Sequence, residues 1–421
     1  MKNLKAWGWV PSLFFAEGLP YVAVMTVSAI MYKKLGVSNA ALAYYTAWLY
    51  LPWVIKPLWS PFVDLIKNKR WWIVSMQLLM GGGLAGIAYS IPTTFFFQTS
   101  LAFFWLLAFS SATHDIAADG FYLLGLKREE QAFFIGIRNM FYRFAVLTGQ
   151  GSLIMLAGMF ESYTGRIPYA WSIIFLILAF MMLGAGLWHR HILPKPAEDE
   201  QKLVGGVRFI LREFGRTFVS FFQKEGVCPA LIFMLTFRLG ESQLVKMNSP
   251  FLLDSENAGG LALATEQLGL ANTSGMIALV LGGISGGIVI SKCGGLKSWL
   301  WPMTLALFLP NLVYLYMSIA RPESLWTICA CVSVEQLGYG FGFTAYVMFM
   351  MLFAEGKYKT SHYAICTAFM ALGMMLPGMA SGWIQEQIGY VQFFIWVILC
   401  GLPVFGILPF LKINTPIKMN E

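Results

Sequence analysis

The feature that most constrains this chain is a succession of long apolar runs separated by short polar connections. Several, such as 173–187 with its flanks and 388–411, reach the roughly 20 residues needed to cross a bilayer. Backbone N–H and C=O groups in hydrocarbon find no water, so only helices or a closed barrel can span it. The apolar residues here are continuous rather than alternating every second position, which selects helices. Composition agrees: 58% of residues are hydrophobic and 12% charged, where a soluble domain carries about 25% charged residues. The pattern predicts twelve spans, near 7–32, 40–63, 71–91, 97–123, 132–160, 168–189, 227–252, 266–290, 298–318, 324–353, 361–385 and 390–411. The first run is too long for a signal-peptide core and lacks a small-residue cleavage site, so it is expected to be retained.

The net charge of +8 is distributed as topology requires and does not point to nucleic acid. One set of connections carries Lys67, Lys69, Arg70, Lys127, Arg128, Arg190, Lys195, Lys292, Lys357, Lys359 and Lys412, together with both termini. The opposite set has Lys33, Lys34, Arg166 and Arg321. The basic side is the cytoplasmic one, which places both termini there. The six cysteines, Cys228, Cys293, Cys329, Cys331, Cys366 and Cys400, lack metal-ligand spacing. Most are read as small hydrophobes, and neither metal nor cofactor is expected. The glycine clusters Gly81–Gly83 and Gly282–Gly287 have no preceding strand and no following Lys-Ser/Thr, so they are not nucleotide loops. Close helix packing accounts for them. Without an ATP-binding motif, the energy source left is an ion gradient.

Residues 1–192 and 227–421 are expected to form two six-helix bundles. The polar stretch 193–226 is expected to be a cytoplasmic linker between them. Its Val207, Ile210, Leu211, Phe214, Phe218, Phe221 and Phe222 recur at helical spacing against Arg208, Arg212 and Arg216. That pattern fits an amphipathic helix on the membrane surface or an ordinary connecting helix. The two halves resemble each other weakly: Leu13–Gly18 parallels Leu235–Gly240, and Ser60–Asp64 parallels Gly287–Ser291. Internal duplication of this kind marks secondary transporters, whose substrate site lies at the repeat interface.

The loop Ser60–Arg70 keeps the Asp and the terminal basic pair of the major facilitator signature, although it loses the two glycines and an Arg. Glu17–Pro20, Lys56–Pro61 ahead of Asp64, Ser110–Asp119, Tyr142–Arg143, Arg238–Glu241 and Glu335 with Gly338–Gly342 resemble the anhydromuropeptide permease and acetyl-CoA transporter family. The resemblance covers most of the chain. It implies an all-α major facilitator fold with twelve helices in two pseudo-symmetric bundles. The implied location is the bacterial inner membrane, and the implied activity is proton-coupled import of a cell-wall sugar or muropeptide by a monomer. An acyl-CoA or other organic-anion carrier is the alternative within the family. Outside it stand a polytopic membrane enzyme, poorly supported by the single deep histidine His114, and a non-transporting sensor.

An ionisable group inside a bilayer costs roughly 2.5–3.5 kcal/mol or more, so each one needs a partner, water or a task. At 1.5 Å of rise per residue, Asp115 and Asp119 lie about 18 and about 12 Å above Lys127, while Arg143 and Arg138 lie about 18 and about 10 Å above Gln131. Matching heights predicts the pairs Asp115–Arg143 and Asp119–Arg138, either as a functional site or as a structural tie between spans. Arg238 and Glu241, three residues apart, can neutralise each other. Glu17 and Glu335 have no evident local partner. Desolvation favours the protonated form of a carboxyl group, so Glu17 first, then Glu335, with Asp115 and Glu241, are candidate proton carriers. Arg143, Arg238, Arg138 and Lys246 are candidates to bind an anionic substrate through charge-assisted bonds. Tyr142, Tyr21, Tyr339 and Tyr346 are candidates to face a sugar ring, or simply to pack. By resemblance Asp64 belongs to a cytoplasmic gate with Lys69, Arg70 and Asp119. His362 is expected at the interface, and His114 as a relay or a hydrogen-bonded structural residue.

Overall fold

The computed structural model describes residues 4–196, 199, 206–356 and 358–412. It is helical almost throughout. The first pass comprises α1 (Leu4–Val22), a π-helical turn at Ala23–Val27 and α2 (Ser28–Lys34). Pro20 cannot donate within α1, and Ser28 Oγ bonds back to Val24 O at 2.5 Å beside the widened turn. Then come α3 (Asn39–Trp48) and α4 (Leu51–Ile66), separated by a turn at Leu49–Tyr50, with Pro52 in the first turn of α4. α5 (Lys69–Ser90) is capped by Asn68, whose side chain accepts from Trp71 N at 2.8 Å. α6 (Phe96–Gly125) precedes α7 (Arg128–Leu147), a second π-helical turn at Thr148–Ser152 and α8 (Leu153–Thr164). α9 (Ile167–Ile192) and α10 (Gly206–Phe222) follow.

Beyond them lie α11 (Val227–Thr236) and α12 (Leu239–Leu253), broken at Phe237–Arg238. The remainder is α13 (Thr265–Lys292), α14 (Gly295–Phe308), α15 (Leu312–Ala320), α16 (Leu325–Ala354), α17 (Lys359–Gly401) and α18 (Pro403–Ile407). Among the described residues nine helices are long and apolar enough to cross a membrane, or ten with the bent pair Gly215–Phe222 and Val227–Leu253. The expected twelve is therefore not reached on length and apolarity alone. The second expected span is interrupted at Leu49–Tyr50 and carries Lys56. The segment Ser361–Phe410 counts once at 50 residues, although about 75 Å of helix far exceeds a hydrocarbon core of about 30 Å. Gly389 interrupts it at φ +75°, ψ 171°, a conformation open essentially to glycine alone.

The chain divides into two compact units: residues 1–37 with 48–210, and residues 38–47 with 211–421. In the first, Trp9 stands edge-on to Phe121 at 5.3 Å and Phe14 edge-on to Tyr122 at 5.7 Å, within a core of α1 and α6. Gly18 and Gly149 bring α1 against α7 and the turn that follows it: a Cβ would lie 2.8 Å from Ala145 Cβ at Gly18, and 2.3 Å from Val22 at Gly149.

In the second unit α13 packs along α16 through reciprocal glycines. A Cβ on Gly282 would fall 2.1 Å from Leu337 O, and one on Gly340 would fall 2.2 Å from Leu279 O. Gly338 and Gly342, one turn apart, give α16 a second bare strip against Ala306 O (2.3 Å) and Met303 O (2.4 Å) of α14. Lipid offers no hydrophobic drive for helix association, so this backbone-to-backbone contact supplies the adhesion. Phe237 stacks on Tyr346 at 4.6 Å, and Phe221 of α10 joins the same core. His362 is buried, 4% exposed, within bonding distance of Ser220 Oγ (2.9 Å) and Thr217 O (3.3 Å). The linker helix α10 covers it at the start of α17.

Gly340→Val should cost at least about 1–3 kcal/mol, the penalty of overpacking, and lower the thermal midpoint in detergent. Gly287→Ala, which meets nothing within 4 Å, should leave the midpoint unchanged.

Candidate functional site

In the first unit, α1, α4, α6 and α7 bring five charged groups together. Trp53 and Lys56, three residues apart on one face of α4, both reach Asp115 of α6. Trp53 Nε1 donates to Asp115 Oδ2 at 3.0 Å, and Lys56 Nζ lies 3.6 Å from the same oxygen. Arg138 of α7 is ion-paired with Asp119, with its guanidinium 4.3 Å from the Phe14 ring centroid and 5.5 Å from that of Tyr122. Glu17 of α1 is 7% exposed, its Oε2 has no hydrogen-bond partner, and it lies within electrostatic reach of Asp115, Asp119, Arg138 and Lys56. These five groups comprise three carboxyls and two cations, so full ionisation leaves one negative charge uncompensated. One proton balances the cluster.

The expected pair Asp119–Arg138 is present, and the expected pair Asp115–Arg143 is not. Asp115 is held by Lys56 and Trp53, and Arg143 is exposed. Equal height did not suffice. Positions 138 and 143 are five apart, about 140° around a helix of 3.6 residues per turn. If one faces Asp119, the other faces away. Tyr21 meets Trp53 edge-on at 5.4 Å and Tyr142 at 6.4 Å, which places both tyrosines beside the cluster.

Behind it runs a buried chain of hydrogen bonds across α1, α9, α5 and α6. Ser12 Oγ is 3.0 Å from His189 Nε2, His189 Nδ1 is 2.8 Å from Gln77 Oε1, and Gln77 Nε2 is 2.9 Å from His114 Nε2. The Gln77 amide donates to His114 Nε2, so that nitrogen accepts and His114 carries its proton on Nδ1. His114 is thus hydrogen-bonded within the bundle through Nε2, while its buried Nδ1 has no partner.

At the far end of α5, the Asp199 carboxylate accepts from Lys69 N at 2.7 Å and Arg70 N at 3.1 Å, where the helix dipole favours an anion. Arg70 Nε donates to Leu193 O at 3.3 Å, and its guanidinium also reaches Arg190 O. The side chain of Asp64, expected at a gate with them, lies outside the described residues.

The second unit holds Arg238 at the break between α11 and α12. It donates to Tyr339 OH at 2.6 Å and lies 5.2 Å and 5.1 Å from the ring centroids of Tyr339 and Phe343. Glu241, one turn on and 1% exposed, has neither carboxylate oxygen hydrogen-bonded. The neutralising Arg238–Glu241 pair is therefore not a hydrogen-bonded one. Glu335 Oε2 accepts from Gln336 Nε2 at 2.8 Å, while its buried Oε1 has no partner. Lys246 Nζ donates to Thr46 Oγ1 at 2.9 Å. Tyr346 donates to Met234 O at 2.6 Å inside the core, so it packs rather than lines a site. No group of three His, Cys, Asp or Glu residues suited to a metal occurs among the described residues.

Sequence reasoning missed the parts played by Trp53, Gln77, His189 and Asp199. The one available signal was the spacing of Trp53 and Lys56.

A family model described as the BT1 family matches residues 15–236. The chain is similar to a putative transporter AmpG 4 of Rickettsia conorii, at 26% identity over 96% of each chain. It is also similar to the anhydromuropeptide permease of Escherichia coli K12, at 24% identity over 93% of this chain and 76% of that protein. Among solved structures, the nucleoside transporter NupG superposes with TM-score 0.70 at 14% identity, over 96% of this chain and 99% of that one. A D-xylose-proton symporter superposes with TM-score 0.69 at 11% identity, over 97% and 98%. These likenesses give the chain the major facilitator fold.

Removing one partner of a buried ion pair costs about 3–5 kcal/mol, because the other charge is stranded. Lys56→Met should therefore destabilise the protein more than the double variant Lys56→Met/Asp115→Asn. Arg143→Gln should be near neutral. Thermal unfolding in one detergent measures all three.

Proposed function

The chain belongs to the BT1 family, and from that premise we propose that this major facilitator transporter imports an anionic cell-wall sugar or muropeptide together with a proton. It is a multi-pass membrane protein. The proposed setting is the bacterial inner membrane with both termini in the cytoplasm, in keeping with the basic connections between helices. The observation that carries the reading is Glu17: a buried carboxyl group with an unbonded oxygen, in a cluster with one acid more than it has bases. Such a group binds a proton when the site is dry and releases it when water enters. Buried carboxyls in transporters commonly serve this purpose. Glu335 and Glu241 are further proton carriers on the same argument.

Arg238 suits the substrate. A planar guanidinium binds a carboxylate through a bidentate fork, and the Tyr339 and Phe343 rings beside it offer apolar faces to a sugar. Arg138 is less free to do so, being committed to Asp119. The E. coli relative is named for anhydromuropeptides, and that chemistry, a sugar bearing carboxylates, fits these groups.

Uptake of labelled anhydromuropeptide and of acetyl-CoA into proteoliposomes, with and without an inward proton gradient, tests the proposal. Wild type should accumulate muropeptide only with the gradient. Glu17→Gln should reduce that accumulation about tenfold, the equivalent of about 1.4 kcal/mol, yet keep gradient-independent exchange. No flux of either compound through folded protein removes the cargo assignment. Undiminished gradient-driven uptake in Glu17→Gln removes Glu17 as the carrier.

A further inference from the structure

The last two turns of α10, Gly215–Phe222, stand at 93° to the pass that follows, Val227–Leu253. A helix at right angles to a membrane-spanning one lies along the membrane plane. The chain makes this corner at Gly226, where φ is +74°, a conformation that glycine adopts without strain. The corner sits among basic connections. Lys224 Nζ donates to Phe353 O at 2.6 Å and to Glu355 O at 2.7 Å, at the end of α16, and Lys412 is ion-paired with Glu225.

One side of α10 is fixed in the protein. Thr217 and Phe221, one turn apart, are buried. Phe221 stacks on Phe369 at 6.3 Å and stands edge-on to Phe353 at 5.7 Å. His362 of α17 takes Ser220 Oγ and Thr217 O as partners. The helix cannot roll about its axis without losing these contacts, so its other side is presented outward in a fixed order.

At 3.6 residues per turn, two rows run along that outward side. Phe218 and Phe222 form the first, 41% and 39% exposed, with their ring centroids 5.1 Å apart. Arg212 and Arg216, both exposed, form the second, on the side away from Phe221. Val219, 55% exposed, lies between the rows. Apolar side chains on a helix in the membrane plane enter the boundary between headgroups and acyl chains. Arginines one row away extend their guanidinium groups to the level of the lipid phosphates, which they hold through charge-assisted, bidentate bonds. A helix facing water has no use for the phenylalanine row, and one covered by protein would bury two cations. The bilayer that this chain spans answers both rows at once.

We propose that the outward side of α10 is a binding site for anionic phospholipid. Phe218, Val219 and Phe222 enter the acyl boundary, and Arg212 and Arg216 hold a headgroup phosphate. Lipid bound there is linked through Ser220 and Thr217 to the start of α17. The inference needs only that the chain spans a membrane, so it stands apart from the cargo and from the proton.

Lipid selectivity at the helix itself tests this. A fluorophore on Val219→Cys, in full-length protein whose six native cysteines are replaced, is placed in zwitterionic nanodiscs. It is then quenched by spin-labelled phosphatidylglycerol or by spin-labelled phosphatidylcholine. One cation near an anionic surface is worth about a factor of five in binding, so phosphatidylglycerol should be preferred at least about fivefold. Arg212→Gln/Arg216→Gln should bring the ratio to about one, and about 1 M salt, which shortens the screening length to about 3 Å, should lower it in the parent. Equal quenching by the two lipids in the parent overturns the proposal. Quenching by neither puts α10 outside the bilayer and overturns it as well. A preference that survives the double substitution removes Arg212 and Arg216 from the site. Should the cysteine-free protein fail to fold, hydrogen exchange of the unlabelled chain decides. Phosphatidylglycerol should then slow exchange across residues 215–222 about fivefold in the parent and leave the double variant unchanged, and identical exchange in the two lipids overturns the proposal.

Discussion

A polar group in hydrocarbon has nowhere to turn but to the protein, and the rest of this structure follows from that. The backbone meets the demand by coiling into helices. Where proline removes a donor or a polar residue bonds back to the chain, the helix answers with a π-helical turn or a break, as at Ala23–Val27, Leu49–Tyr50 and Phe237–Arg238. The same demand sorts the side chains. Charges gather where other charges or hydroxyls receive them, as around Asp115, Asp119, Lys56 and Arg138, around Arg238 and Tyr339, and at Lys246 and Thr46.

Helix association needs its own source of cohesion, since lipid tails compete on equal terms with apolar side chains. The reciprocal contacts of Gly282 and Gly340, and of Gly338 and Gly342 on the adjoining strip of α16, meet the need with backbone contact and leave little slack. The α3–α17 junction is built on the opposite principle, with hydrogen bonds at its ends and an open groove along its flank. Backbone-to-backbone and hydrogen-bonded contacts thus coexist in one unit, and the difference is legible in which atoms touch.

The charges of the first unit do not balance. Lys56 and Arg138 answer Asp115 and Asp119, and Glu17 is left over. It is on this surplus acid that the proposed proton coupling rests. Arg238 is the counterpart in the second unit, a cation that bonds a hydroxyl and lies beside two rings.

By itself the sequence determined the class of the molecule and much of its inventory. Run length and apolarity require membrane helices. The basic connections bias their orientation, and buried charges mark the places where partners had to exist. It also anticipated the Asp119–Arg138 pair, whose members lie at similar depth. It did not determine Asp115's partner. Depth is a one-dimensional coordinate, while the direction in which a side chain points depends on how each helix is rotated about its axis. Only packing sets that rotation: it brought Lys56 and Trp53 to Asp115, left Arg143 exposed and threaded Gln77 between His114 and His189. The membership of residues 38–47 was likewise a tertiary decision. Nothing local distinguishes them from the span they begin, and their place is decided by Asp254, Gln385, Glu386, Tyr390 and Lys246, residues some two hundred or more positions away.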